Sequence, residues 1–112
     1  MLNLTFDNQF THRLPGDTET GPRQRQLSHA LFARVTPKPA ARPQLIHFSR
    51  ETAEMLGLSE AQCHSDEFVQ AFSGSQSLSG MDPHATCYGG HQFGNWAGQL
   101  GDGRAINLGE VN

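Results

Sequence analysis

Residues 97–112 read AGQLGDGRAINLGEVN, and the reading of this stretch decides the fold. Gly98, Gly101, Gly103 and Gly109 fall within twelve residues, between short apolar runs that carry Leu100, Ile106 and Leu108. Asp-Gly between two such runs is a strong hairpin signal, because both central residues of a type I′ turn need positive φ. The expectation is a β-hairpin of WAGQL against RAINLGEV, with its tip at Asp102-Gly103. The tip has two readings. In one, the glycines only permit the turn and close packing. In the other, backbone N–H groups cradle phosphate oxygens and Arg104 adds a charge-assisted pair.

The spacing G-x-x-G-x-G of GQLGDG is not the dinucleotide order G-x-G-x-x-G, and no helix follows it. Nor is a Gly-Lys-Ser/Thr present for a Walker-type loop. A hairpin laid over phosphates is the kinase-type arrangement, which also wants a strand lysine and metal-binding Asp and Asn residues. The one lysine, Lys38, is locked between Pro37 and Pro39. No H-R-D or D-F-G pattern occurs, so most of any nucleotide site lies beyond Asn112.

Upstream, HATCYGGH brings His84, Cys87 and His91 close in sequence, with Cys63-His64 before them. These are zinc-capable side chains, but H-x2-C-x3-H matches no closed tetrahedral pattern and no C-x-x-C pair is present. The alternative is a loop histidine and a small buried cysteine. A Cys87/His91 nucleophilic dyad is a further reading, and no G-x-S-x-G elbow occurs.

The 112 residues suit one ordinary domain with a thin core: Leu, Ile, Val and Phe total 23, about 21%. Residues 1–56 hold seven Lys/Arg and five Asp/Glu, net +2; residues 57–112 hold one and six, net −5. No basic stripe for nucleic acid is present. Two cysteines make no disulfide framework, the N-terminus lacks a secretory pattern, and no apolar run approaches a membrane span. A reducing cytoplasm is the simplest home.

Along the chain, residues 1–26 are polar, with turn formers in LPGDTETGPRQRQ, and read as an extended arm. Pro37, Pro39 and Pro43 forbid a helix or central strand after Val35. QLIHFS at 44–49 alternates weakly, as a strand would. SRETAEMLG at 49–57 reads as a short helix with Ser49 as N-cap and Gly57 at C′. SEAQ at 59–62 fits a capping box, and a further helix runs from Ser65 to Phe72. SGSQSLSGMDP at 73–83 has linker composition. The fold class is α+β, with an arm over 1–26 and the remaining unit over 27–112.

The run YGGHQFGNWAGQLGDGR, Tyr88–Arg104, closely resembles the selenoprotein O family, whose pattern there is Y-x-G-H-Q-F-G-x-[WF]-A-G-Q-L-G-D-G-R. All seventeen positions fit, with Gly89 and Asn95 in variable slots. FDNQFTHRLPGD at 6–17, FARVTPKP at 32–39 and ETAEMLGL at 51–58 resemble further segments of that family. The resemblance implies a protein-kinase-like fold several hundred residues long, of which 27–112 would be part of the N-lobe. It implies transfer of AMP from ATP, with Mg²⁺, to Ser, Thr or Tyr hydroxyls of protein substrates. Gly101, Gly103 and Arg104 would be nucleotide contacts. A phosphate-binding lysine, further arginines, the base and the metal ligands would lie beyond Asn112. The runner-up activity is kinase-like phosphotransfer, and the alternative of another class is a non-catalytic nucleotide-binding or regulatory module. The 112 residues alone would bind ATP weakly, transfer nothing and tend to self-associate through an uncovered hairpin edge.

Overall fold

A computed structural model describes residues 2–17, 29–101 and 103–112. The element order is α1 (Gln9–Arg13), β1 (Gly16–Asp17), β2 (Phe32–Arg34), α2 (Arg50–Met55), α3 (Glu60–Cys63), α4 (Asp66–Phe72), β3 (His84–Thr86), β4 (Tyr88–Gln92) and β5 (Asn95–Leu100). This is the expected mixture of short helices and small sheets.

The three central helices form where their serines stand. Ser49 Oγ accepts from Thr52 N, and Ser65 Oγ accepts from Phe68 N, both at 3.2 Å. Ser59 and Gln62 close a complete capping box: Ser59 Oγ accepts from Gln62 N at 3.2 Å and Gln62 Oε1 from Ser59 N at 2.8 Å. After α2 the chain turns at Gly57, whose φ is +72°. Gly57 N donates to Glu54 O and Leu58 N to Ala53 O, the two bonds of a Schellman motif. That turn aims Leu58 back at Ala53, and both are buried in the helical core with Leu2, Cys63 and Ala71. Phe48, Leu56, Phe68, Leu78 and Met81 pack around them.

Three expectations are corrected. Residues 2–17 are not a bare extended arm: Leu2 enters the helical core, α1 forms, and Gly16–Asp17 pairs parallel with β2. Residues 18–26 of that arm lie outside the described residues. No strand forms over 44–49; Leu45 and Phe48 are half-buried and Ile46 exposed, a spacing of three rather than two, and the segment lies along α2 and α4. Residues 73–83 are more than a linker, since Leu78 and Met81 pack on the core and Asp82 pairs with Arg34.

The second apolar centre lies about β2, where Ala30, Phe32, Ala33 and Ala85 are buried. β3 runs antiparallel to β2, with Phe32 opposite Thr86 and Arg34 opposite His84. The return segment lies on β3's other edge, where Asn107 and His84 exchange both backbone bonds, at 2.8 and 2.9 Å. Beyond it, residues 5–7 pair with 110–112 through a Phe6–Val111 bridge. The chain's first and last described segments are therefore neighbours.

Candidate functional site

β4 and β5 pair antiparallel around a two-residue turn, Phe93-Gly94, closed by the Gln92–Asn95 pair. Both turn residues have positive φ, +50° and +81°. The tip is thus nine residues before the expected one. NWAGQL pairs with YGGHQ and not with RAINLGEV, which overturns the expected register; Asp102 itself lies outside the described residues. Burial decides the register. Gly90 lets Leu100 close over the strand: a Cβ built on Gly90 would lie 2.7 Å from Leu100 Cδ1. Leu100 is consequently buried.

Only Cys87 separates β3 from β4, which belong to separate sheets, and the return chain meets both strands. Tyr88 faces Leu100, and His84 faces Asn107. Four positions separate His84 from Tyr88, while seven separate Leu100 from Asn107, so the return strand carries three extra residues. Gly101, Gly103 and Arg104 all lie between Leu100 and Asn107. This stretch is not the tip of the β4–β5 hairpin; Gly101 directly follows β5.

Gly101 is buried and Gly103 half-buried, while Arg104 is exposed. A Cβ on Gly103 would lie 3.2 Å from Thr86 O and 3.7 Å from Ala85 Cβ, so its glycine serves close packing against β3. The guanidinium of Arg104 offers five donors in a planar fork suited to phosphate. Such donors suit phosphate oxygens in general. Among the described residues no group of three or more His, Cys, Asp or Glu side chains is placed to hold a metal ion. His84, Cys87 and His91 are accordingly separate in role. His84 is buried and stacks on Phe10 with ring centroids 5.5 Å apart, while exposed His91 sits 4.8 Å from Trp96.

The chain on either side of this stretch is anchored by residues whose part the sequence did not reveal. Upstream, Cys87 N donates to Leu31 O and Gln99 Nε2 to Ala30 O. Downstream, Asn8 occupies the left-handed region at φ +47°, where asparagine is tolerated better than most residues. Its Nδ2 donates to Gly80 O at 2.7 Å and its Oδ1 accepts from Glu110 N at 3.0 Å. The Glu110 carboxylate accepts from Phe10 N in the first turn of α1. Gly109 is required here, since a Cβ would lie 2.8 Å from Phe6 Cδ1 and 2.9 Å from Asn8 Oδ1.

Beside β3, Asp82 receives two bonds from Arg34, at 2.9 Å from Nε and 3.1 Å from the terminal nitrogen. These bonds hold the Asp82 carboxyl below its ordinary range, with burial opposing and Thr11 assisting. His84 Nδ1 lies 3.0 Å from Asp82 O, and a carbonyl only accepts, so Nδ1 carries the proton. The only sequence signals for these ties were the positions FDN and LGE, which local periodicity does not explain.

Residues 17–112 match the family model for protein adenylyltransferase SelO. Among curated proteins, the chain is 57% identical over 111 residues to the protein nucleotidyltransferase YdiU of Azoarcus sp.. It is 55% identical over 110 residues to that of Rhodopirellula baltica and 51% identical over 111 to that of Flavobacterium johnsoniae. These alignments cover 98–99% of the chain but only 20–21% of each relative, so the chain spans about a fifth of their length. Among the described residues, no helix is long and apolar enough to cross a membrane.

Proposed function

The chain belongs to the protein adenylyltransferase SelO family, and on that premise we propose that its parent protein transfers AMP from ATP to Ser, Thr or Tyr hydroxyls of other proteins. The observation that supports the reading is the side-chain-free Gly103, packed close against β3, with the exposed Arg104 beside it. Backbone N–H groups at Gly101 and Gly103 and the Arg104 guanidinium hold phosphate oxygens and offset their charge. The acceptor oxygen bonds to the α-phosphorus, the bond to the bridging oxygen breaks, and pyrophosphate leaves. The hydroxyl proton passes to a base outside these residues, as do the duties of binding Mg²⁺. Residues 27–112 form part of a kinase-like N-lobe, preceded by the segment 1–26, in a cytoplasmic enzyme.

The test uses the parent protein with ATP labelled at either the α- or the γ-phosphate. Label on protein substrates from the α position alone supports AMP transfer; label from the γ position alone replaces it with phosphotransfer. Arg104→Ala should raise KM for ATP about tenfold or more, since a hydrogen bond to a charged group contributes about 1.5–3 kcal/mol. Unlabelled substrates in both arms would favour a non-catalytic nucleotide-binding module. The isolated 112 residues should bind Mg²⁺-ATP weakly or not at all in calorimetry, because a few hydrogen bonds do not offset the cost of immobilising a nucleotide.

A further inference from the structure

The tip of the β4–β5 hairpin is costly in two ways at once. Phe93 stands at φ +50°, in the left-handed region that a turn of this kind reserves for Asn, Asp or Gly. Its ring is also fully exposed, at 104% of the reference area. Three residues on, Trp96 is 60% exposed and already held in place. One side of its indole lies over Gly89, where a Cβ would meet the ring at 3.0 Å, and His91 packs beside it. A packed, partly exposed indole three residues from a projecting phenyl ring has the aromatic composition of an anchor that enters a pocket. Backbone strain at an exposed bulky residue persists where surroundings impose it, and among the described residues nothing covers this ring.

We propose that Phe93 and Trp96 dock the hairpin onto the part of the parent polypeptide outside these 112 residues. Two observations select that occupant over a separate molecule. About four-fifths of each relative's length lies outside the matched region, so ample chain is at hand. The area is the second. Phe and Trp bury roughly 150–250 Å² each, and at these exposures the pair offers about 350 Å². A stable interface between independent molecules takes about 800 Å² per partner. A tethered contact escapes most of the association entropy and is sustained by the smaller area. An isolated two-stranded hairpin is also marginal in water, which docking remedies. The inference does not depend on the reaction the parent performs.

Hydroxyl-radical footprinting of the wild-type parent protein, read by mass spectrometry, tests this directly. Phe93 and Trp96 should be oxidised at least about tenfold more slowly than in the urea-unfolded protein, at every protein concentration and without nucleotide. Oxidation within twofold of the unfolded rate would overturn the proposal. So would protection that grows with protein concentration, which would place a second copy on the tip, or protection that appears only with Mg²⁺-ATP. Phe93→Asn supplies an opposite-signed check. Asn relieves the turn, so an uncovered tip would give an unchanged or higher Tm, whereas a docked ring gives a fall of several degrees. If that variant does not fold, the footprint of the wild-type protein still decides.

Discussion

Asn8 is the residue whose loss should be most instructive. It is buried, stands at φ +47°, and spans Gly80 O and Glu110 N with its two amide atoms. Asn8→Gly keeps the backbone free to adopt that φ and removes only the side-chain bonds. Two part-buried partners then lack their bonds, at about 1–3 kcal/mol for each group left unsatisfied; water reaching the vacated space reduces this toward a total of about 2 kcal/mol. Asn8→Ala adds the left-handed penalty of roughly 1–2 kcal/mol, for about 3–4 kcal/mol in all. Asn8→Asp keeps an acceptor for Glu110 N but turns the donor to Gly80 O into a second acceptor, so it should fall between wild type and Ala. Hydrogen exchange of the native protein gives a local readout at residues 5–12 and 107–112, with urea unfolding as the global one. Two results would refute the reasoning. Equal effects of Gly and Ala would show that the backbone conformation contributes nothing, and changes below about 0.5 kcal/mol in all three would show that the ends are not tied through this side chain.

Other expectations concern separate parts of the chain. The Asp82 carboxyl is held below its ordinary range chiefly by the Arg34 bonds, so its stabilising contribution is full above the unfolded-state value. It declines as pH falls below that value toward the lowered one; Asp82→Asn should flatten this acid limb of the stability curve. The Arg34 side chain is 43% exposed, so the contribution is limited to about 1 kcal/mol. Ser59→Ala removes half of the capping box and should cost about 1 kcal/mol in thermal or urea unfolding, with exchange quickening at the start of α3. Gly90→Ala would press a methyl group against Leu100 and should cost about 1–3 kcal/mol. If it proved neutral, the observed strand register would be wrong.

Much of the helical part was legible because its signals act over three or four residues. Ser49, Ser59 and Ser65 cap their helices from adjacent positions, and Gly57 ends α2 through bonds within that same turn. Such interactions are satisfied locally whatever the rest of the chain does. The prolines at 37, 39 and 43 likewise excluded regular elements by their own covalent geometry. The strong similarity of Tyr88–Arg104 to one family needed no folding argument at all.

Strand pairing was a different matter, because its register is set by what is buried at a distance. Asp102-Gly103 is the better local turn, yet the hairpin closes at Phe93-Gly94, where Leu100 can pack against Gly90. Asn107 then pairs with His84, and Gly101, Gly103 and Arg104 lie between those two fixed registers. The polar N-terminal sequence does not announce that Leu2 fills the helical core or that Asn8 meets Glu110, 102 positions away. The sequence by itself determined the caps, the breaks and the family, whose causes lie within a few bonds. Only the tertiary structure decided where the glycines of 98–103 stand, because burial and long-range backbone pairing outweigh the preference of a two-residue turn.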